Sequence, residues 1–308
     1  MPARPGVLRV SVATLVAALV AMSVAVAAPQ KAVAWGPAEA AAAPAWLVRV
    51  NLHRKLAGLP PVTANAVWGN GARLHSRYIV KNGQVTHFED PSNPWYTKAG
   101  YEAGLKGNVA AFLEKTTADS YAIDYWMQGP FHAIGIIHPH LVKVGYGAYR
   151  EDAAGFYGMG ATLNVISGRD YSSPDIYPSM YPSGKQPMVQ RWYTGGEHPN
   201  PLASCPGYTA PSGPAIMLML GDNQVVPRVT AHIFKQGGKA LAHCIFDETN
   251  YKNPNHDDQA LGRASLDQAD MIVIMPRAPL ERGKTYTVSI TTGGKKYTWS
   301  FKVAASAP

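Results

Sequence analysis

Cysteine and charge are scarce in this chain. Only two of its 308 residues are cysteines, and only 16% are Asp, Glu, Lys or Arg. Two cysteines exclude a disulfide-dense mini-protein, and no Cys-x-x-Cys or Cys–His spacing indicates a structural zinc site. The net charge of +8 is spread along the sequence. Because nucleic-acid binders concentrate basic residues on one face, the sequence argues against a nucleic-acid partner and favours at most a loose attraction to acidic cell-surface polymers.

Motifs of the common hydrolases and nucleotide-binding enzymes are also missing. The sequence contains no Gly-x-Ser-x-Gly, no His-Glu-x-x-His and no phosphate-binding loop. It has no single reactive cysteine either. These absences favour a binding function over an enzymatic one, although a triad built from distant residues leaves no signature in a sequence.

The N-terminus has the form of a secretory signal. Two arginines precede an apolar run from Val10 to about Ala28, and Ala25-Val-Ala27 fits a cleavage site. We therefore expect residues 1–27 to be a signal peptide, with an uncleaved anchor helix as the alternative. The Ala/Pro-rich residues 28–45 are expected to be a disordered lead-in. The protein is thus expected to be secreted or held at the cell envelope, with no membrane span after signal removal.

The two cysteines, Cys205 and Cys244, are expected to bond to each other because export brings the chain into an oxidising space. Two free buried thiols are the alternative. In the chain-entropy picture, a loop of about 40 residues closed in this way contributes roughly 3–4 kcal/mol to stability.

Hydrophobic periodicity predicts helices in the first part of the chain and strands after it. Helices are predicted at 46–57, 65–82 and 116–126, and strands at 141–149 and 156–165. Helices that flank a small antiparallel sheet form an α-β-α sandwich. We expect this α+β domain to occupy residues 46–168.

The second half of the chain reads as all-β. Residues 169–204, rich in Pro, Ser, Gly and Tyr, are expected to be a linker that shares few core residues with either neighbour. Residues 205–305 are expected to form a small β-sandwich that unfolds separately. Its ending, from Pro279 to Phe301, resembles bacterial immunoglobulin-like modules. The strands are predicted at 215–220, 228–235, 239–246, 271–275, 286–291 and 297–303.

One stretch carries the most information about function. Trp126-Met-Gln-Gly-Pro-Phe-His132 is a helix end, a Gly-Pro turn and a histidine placed just after the turn. Together with Asn51-Leu-His-Arg54, Gly58-Leu-Pro-Pro61 and His87, it resembles the CAP superfamily in its bacterial form. That superfamily comprises the cysteine-rich secretory proteins, antigen 5 and pathogenesis-related 1. The resemblance covers about residues 46–168 and implies that His87 and His132 face each other across a central cleft.

The acidic residues that the family places beside these histidines are absent from their usual positions. In Lys106-Gly107-Asn108, glycine stands where the family's Gly-Glu-Asn has its glutamate, and Gly129 stands where long-loop members have a second one. The resemblance therefore implies a ligand cleft without its carboxylates. Its expected lining residues are His87, His132, Asn108, Tyr125 and Trp126.

Two neutral imidazoles are too few ligands for tight zinc binding. We expect His87 and His132 to hydrogen-bond across the cleft or to bind Zn²⁺ or Mg²⁺ weakly, with acid–base catalysis as the least favoured role. The candidate acids to replace the missing glutamates are Glu89, Asp90, Glu102 and Asp124, and no spacing rule selects among them.

Three other histidines are predicted not to be metal ligands. His138-Pro-His140 is predicted to be a solvated turn, with a metal-binding pair as the alternative, and His75 is predicted to be a packed helix residue. The sequence thus predicts an exported, non-enzymatic protein that binds a small hydrophobic, glycan or peptide ligand. The alternatives are a hydrolase acting on peptides or cell wall through the two histidines, and a structural envelope protein.

Overall fold

The computed structural model describes residues 42–152, 156–184 and 186–306. The predicted signal peptide and most of the predicted lead-in, up to residue 41, lie outside the described residues. From Ala43 onward the chain forms one compact unit. Within the described ranges, no helix combines the length and the apolar character that crossing a membrane requires.

The first part of the unit is a sheet flanked by helices, as predicted. The helices are α1 (Ala45–Leu56), α2 (Ala66–Asn82), α3 (Lys98–Leu105), α4 (Asp119–Trp126) and α5 (Pro130–Ile136). The strands are β1 (Thr63–Ala64), β2 (Gly107–Phe112), β3 (Lys143–Arg150) and β4 (Met159–Asn164). They lie in the order β1-β3-β4-β2, so that among the described strands β2 is an edge strand and pairs with β4.

Local sequence explains where α2 begins, where it ends and how it packs. The Asn65 side chain accepts a hydrogen bond from Trp68 N, and Gly83 ends the helix in the left-handed conformation, with φ of 63°. The helix then crosses β3 at Gly147, where a Cβ would overlap the backbone of Arg73. Glycine in β3 therefore lets the helix approach the sheet closely.

A buried arginine joins α1 to the turn after α5. The Arg54 side chain is 1% exposed and donates to the carbonyl oxygens of Pro60, Ile136, His138 and Leu141 at 2.7–3.0 Å. Burial lowers its pKa to about 10, which still leaves it charged at neutral pH. Because these carbonyls replace the lost water, removal of the side chain would leave several buried acceptors unpaired.

The second part of the unit contains two antiparallel four-stranded sheets. One has the order β5-β6-β10-β9 and the other β12-β11-β7-β8. The strands are β5 (Ser179–Tyr181), β6 (Ile216–Met219), β7 (Val229–Gln236), β8 (Lys239–Ala240), β9 (His243–Phe246), β10 (Met271–Pro276), β11 (Thr285–Thr292) and β12 (Lys295–Lys302). The strand predicted at 239–246 is in fact β8 and β9, which belong to different sheets.

The prediction of an all-β second half is wrong in one respect. Helix α6 (His256–Asp267) lies between β9 and β10. Asn255 caps it by accepting from Asp257 N and Asp258 N. Its buried residues are only Gly262 and Leu266, and so thin an apolar face leaves little helical periodicity to detect.

Residues 169–204 are not a linker. Tyr181, Met188 and Tyr193 are at most 2% exposed and belong to the same hydrophobic core as the helices and both sheets. Ser179 Oγ donates to Ala57 O at 2.7 Å. The expectation that this segment shares few core residues with its neighbours is therefore wrong, because Tyr181 and Tyr193 fill the core.

The predicted disulfide is present. Cys205 and Cys244 are bonded, with Cα atoms 5.5 Å apart. Cys205 directly follows a 3₁₀ turn at Pro201–Ser204, and Cys244 lies in β9. The bond therefore attaches the segment that precedes β6 to the far edge of its sheet.

Candidate functional site

His87 and His132 line the same cavity, which has a volume of about 380 Å³. His87 comes from the loop after α2, and His132 from the first turn of α5. The cavity wall is formed by Val85, Thr86, His87, Val109, Ala110, Ala111, Tyr125, His132, Tyr157, Gly196 and His198.

The orientation of His87 is fixed by the backbone of α3. Its Nδ1 lies 2.8 Å from Gly104 O, and since a carbonyl only accepts, Nδ1 carries the proton. Burial lowers the pKa of His87, which favours the neutral ring. In that tautomer Nε2 has a free lone pair.

His132 is held by a carboxylate that was not predicted. Glu197 Oε1 accepts from His132 N at 2.8 Å and lies 3.0 Å from His132 Nδ1. Glu197 is 9% exposed. A carboxylate on Nδ1 fixes the ring and its tautomer, so that the neutral His132 ring also has its lone pair on Nε2.

The expectation that the cleft has no carboxylate is therefore wrong. Glu197 approaches through the space left free by Gly129, where a Cβ would overlap Glu197 Oε2. It lies 65 residues from His132 in the sequence, and no spacing rule links the two. The one local hint is Gly195-Gly196, whose φ values of 92° and 87° form a turn that L side chains disfavour.

Position 107 is too crowded for any side chain larger than that of glycine. A Cβ there would lie 2.7 Å from Ala103 O and 2.9 Å from Leu163 O, both backbone atoms. The neighbouring Asn108 donates through Nδ2 to His132 O at 2.9 Å and so supports α5. Position 107 therefore has no room for a glutamate.

The two aromatic residues predicted to line the cleft differ in position. Tyr125 lines the cavity, and burial raises its pKa. Trp126 is 1% exposed and donates from its indole to Val109 O at 3.2 Å. It thus packs in the core and supports the cavity wall from behind, and its assignment as a cleft residue is wrong.

Two of the four candidate replacement acids are engaged with other histidines. Glu89 bonds to His75 Nδ1, and Asp124 bonds to His53 Nε2, both at 2.9 Å. His75 is fully buried in α2.

The two other candidate acids do not line the cleft either. Glu102 is exposed on α3. Asp90 accepts from Ser92 in a turn at 2.8 Å. None of the four candidate acids lines the cavity that contains His87 and His132.

The prediction of a solvated turn at His138-Pro-His140 is wrong. His138 is 0% exposed and His140 is 2% exposed, because residues 169–173 and the end of α6 cover them. His140 Nδ1 lies 3.1 Å from Ser173 Oγ, and its Nε2 lies 3.2 Å from Asp175 Oδ1.

A third histidine, which sequence reasoning missed, reaches the cavity from the second part of the chain. His198 follows Glu197, and its Nε2 lies 3.2 Å from Asp258 Oδ1 in the first turn of α6. The cavity wall is therefore built by both parts of the unit.

The donor set does not fit a tight metal site. Within the described residues, the one group of three possible ligand atoms that lie within 4.8 Å of one another is Glu248, Asp267 and Asp270, and it contains neither cleft histidine. Two imidazole Nε2 atoms with Glu197 behind one of them provide two ligands, and a firm zinc site needs three or four.

Comparison with known proteins finds a family match for the first part of the chain. Residues 47–165 match the model of the family described as CAP, cysteine-rich secretory protein family. No curated protein and no solved structure matches the chain. The match supports assigning residues 47–165, the segment that carries both His87 and His132, to the CAP superfamily.

Proposed function

We propose that this chain is an exported, non-enzymatic binding protein of the extracellular space or cell envelope, and that its ligand occupies the cavity between His87 and His132. Three observations support export: the family match, since CAP proteins are generally extracellular, the disulfide, and the signal-like N-terminus. The ligand classes we propose are a small hydrophobic molecule, a glycan or a peptide.

The observation that carries the proposal is the anchoring of both rings. Gly104 O holds His87 through Nδ1, and Glu197 holds His132 through Nδ1. With Nδ1 engaged in each ring, Nε2 is the ring nitrogen left to contact a ligand, in a cavity large enough for part of one. Rigid polar groups in a partly apolar cavity are typical of a site that selects a ligand by hydrogen bonding.

The cavity supports binding better than hydrolysis. A hydrolytic site needs an activated nucleophile or a metal-bound water beside the base. Apart from tyrosines, the described wall residues include one hydroxyl, on Thr86, and its Oγ1 already accepts from Phe88 N at 3.0 Å. The His132–Glu197 pair is the one feature that favours the hydrolase alternative, because a carboxylate often orients a catalytic histidine.

The second part of the unit, for which we expected an immunoglobulin-like sandwich, is proposed to complete the cleft. Glu197 and His198 come from the segment before β6, and Asp258 comes from α6. This role needs no separate adhesive activity.

A capture experiment tests the proposal. The mature protein and a His87→Ala/His132→Ala variant are immobilised and exposed to lipid, glycan and peptide fractions of culture medium and envelope extract. We expect one class to be retained by the mature protein, lost with the variant, and released chemically unchanged. Release of cleaved products would support the hydrolase alternative, and equal retention by both proteins would refute the proposed site.

A further inference from the structure

We propose that a second cavity, separate from the histidine cleft, binds an acidic glycan through the carboxylate of a uronic acid unit. This cavity has a volume of about 350 Å³ and shares no lining residue with the histidine cleft. Its wall comes from α4 and the residue that follows it, Gln128, from residues 189–192 and from Arg282, and we call it the arginine cavity. Its size lies within the range of small-molecule sites, roughly 300–1,000 Å³.

Two arginines give the arginine cavity its positive charge. Arg282 lines it, and Arg282 Nη1 is buried without a hydrogen-bond partner among the described residues. Arg191 donates from Nε to Leu280 O at 2.7 Å, which fixes its guanidinium and leaves the two Nη groups for a ligand. A guanidinium fork matches the two oxygens of a carboxylate, and a buried donor without a partner favours a ligand that supplies an acceptor.

The acidic residue of the described wall, Asp124, is already compensated from behind. Its Oδ1 lies 2.9 Å from His53 Nε2, and its Oδ2 lies 3.4 Å from Arg49 Nη1. Both partners belong to α1 and do not line the cavity. The charges of Arg191 and Arg282 are therefore not consumed by Asp124 and remain available to an anion.

Two buried side-chain amides also line the arginine cavity. Gln190 and Gln128 are each 7% exposed. Gln190 Oε1 has no partner among the described residues, and its Nε2 lies 3.5 Å from His53 Nε2. That nitrogen already donates to Asp124, because a carboxylate only accepts, so two donors face each other and the Gln190 amide is left unsatisfied. Gln128 Oε1 accepts from Thr194 N and Oγ1, which leaves Nε2 as the donor that this amide offers.

The amides and two aromatic rings favour a sugar over other carboxylates. A side-chain amide combines a donor with an acceptor, and a sugar hydroxyl offers both in return. Trp192 is 40% exposed and Tyr121 is 49% exposed, and both rings line the cavity as apolar surfaces for the C–H face of a sugar. The Arg191 guanidinium lies 5.0 Å from the centre of the Trp192 ring and holds it in the wall. A fatty acid would leave the buried amides unpaired, and inorganic phosphate would not cover the rings.

Isothermal titration of the mature protein tests the inference. The probes are trimers of galacturonate, glucuronate and mannuronate, each also prepared as its methyl ester, which removes the charge and keeps the sugar. We expect at least one acidic trimer to bind, and its ester to bind at least tenfold more weakly. Failure of every trimer to bind, or equal binding of the ester, of inorganic phosphate or of a capped triglutamate peptide, would overturn the inference.

A charge-matched pair of variants locates the bound trimer. Arg282→Gln should weaken it at least tenfold. Arg228→Gln removes the same charge from an exposed arginine that does not line the arginine cavity, and it should change the affinity less than twofold. Equal losses in the two variants would show attraction by net charge alone and would overturn the inference.

Gln190→Leu provides an independent check, because it replaces the unsatisfied amide with an apolar group of similar size. It should weaken the trimer at least threefold while the midpoint of urea denaturation stays the same or rises. A lower midpoint would show that the protein itself satisfies this amide, and an unchanged affinity would show that the sugar does not reach it. Either result would overturn the inference.

The two proposals fail separately. An acidic glycan bound in the arginine cavity would be retained both by the mature protein and by its His87→Ala/His132→Ala variant. Repeating the capture with Arg282→Gln added to both proteins removes that retention and leaves the ligand of the histidine cleft. A histidine-dependent ligand without trimer binding would leave the proposed function standing and overturn the inference drawn from the arginine cavity.

Discussion

Glu197 Oε1 accepts from two atoms of His132, the backbone N at 2.8 Å and Nδ1 at 3.0 Å. His132 lies inside the segment that matches the CAP family, whereas Glu197 lies outside it. The carboxylate that orients a cleft histidine is therefore supplied by a part of the chain that the family match does not cover. Glu197 also reaches this position only because residue 129 is glycine.

We predict that Glu197→Ala lowers the free energy of unfolding by about 1.5–3 kcal/mol, the usual range for a hydrogen bond to a charged group. The substitution removes the acceptor of His132 N and Nδ1 and frees the ring. Urea denaturation measures the loss, and the imidazole NMR signals of His132 should broaden or split as the ring gains orientations.

Glu102→Ala is the matched control. Glu102 is an exposed glutamate on α3. Its removal should stay within about 0.5 kcal/mol of the parent protein. A loss of similar size in both variants would show that the Glu197–His132 contact contributes nothing specific.

The second prediction concerns a fragment. Residues 43–168 alone lack Tyr181, whose hydroxyl bonds to His53 Nδ1 at 2.9 Å, and Thr194, whose N and Oγ1 both bond to Gln128 Oε1. Because these partners are buried, their loss leaves polar groups unpaired and core surface exposed. We expect the fragment to lack a cooperative thermal transition by circular dichroism.

The chain from residue 43 onward, made in the same way, is the control and should melt in one transition. A fragment that melts cooperatively within a few degrees of this longer chain would restore the division at residues 168 and 205 that the sequence predicts.

Features that depend on local sequence were predictable. Asn65 and Gly83 delimit α2 as capping rules require, and the family resemblance brought His87 and His132 to one cleft. Features set by distant contacts were not. Glu197 reaches His132 across 65 residues, and a Pro/Tyr-rich segment that reads as a linker buries Tyr181. Composition describes a segment's local preferences and does not show which cavity its side chains fill.

The third prediction concerns zinc. We expect isothermal titration to give a dissociation constant no tighter than micromolar at the cleft, because among the described residues the cleft histidines belong to no group of three converging ligands. Gly107→Glu should not improve it. The new Cβ would press on Ala103 O and Leu163 O, so we expect this variant to lose about 2 kcal/mol or more of stability.

His87→Ala serves as the comparison in the same titration and should remove the part of the zinc-binding heat that comes from the cleft. Nanomolar affinity in the parent protein would contradict this account and would favour the hydrolase alternative, since a metal with an open position activates water.

The fourth prediction uses a buried histidine. Burial lowers the pKa of His138 from 6.5 to about 3. Between these two values the unfolded chain binds a proton that the native protein does not, so stability is full above pH 6.5 and is lost as the pH falls. The slope is about 1.4 kcal/mol per pH unit for one such group. Urea denaturation at pH 7.5, 6.5, 5.5 and 5.0 should show this decline. His138→Gln should reduce the slope of stability against pH by up to about 1.4 kcal/mol per pH unit, the contribution of one proton. Parallel curves for the two proteins would refute the assignment.

Glu248 should act in the opposite direction in the same experiment. Burial, with Asp267 and Asp270 close by, raises its pKa from 4.5 to about 7. The native protein therefore binds a proton between pH 4.5 and 7 that the unfolded chain does not, so this group's contribution is present at low pH and is lost as the pH rises through 7. Glu248→Gln keeps the neutral shape at every pH. Relative to the parent protein, it should be more stabilising at pH 8 than at pH 5.5, and an equal effect at both would show that the Glu248 carboxyl is ionised throughout.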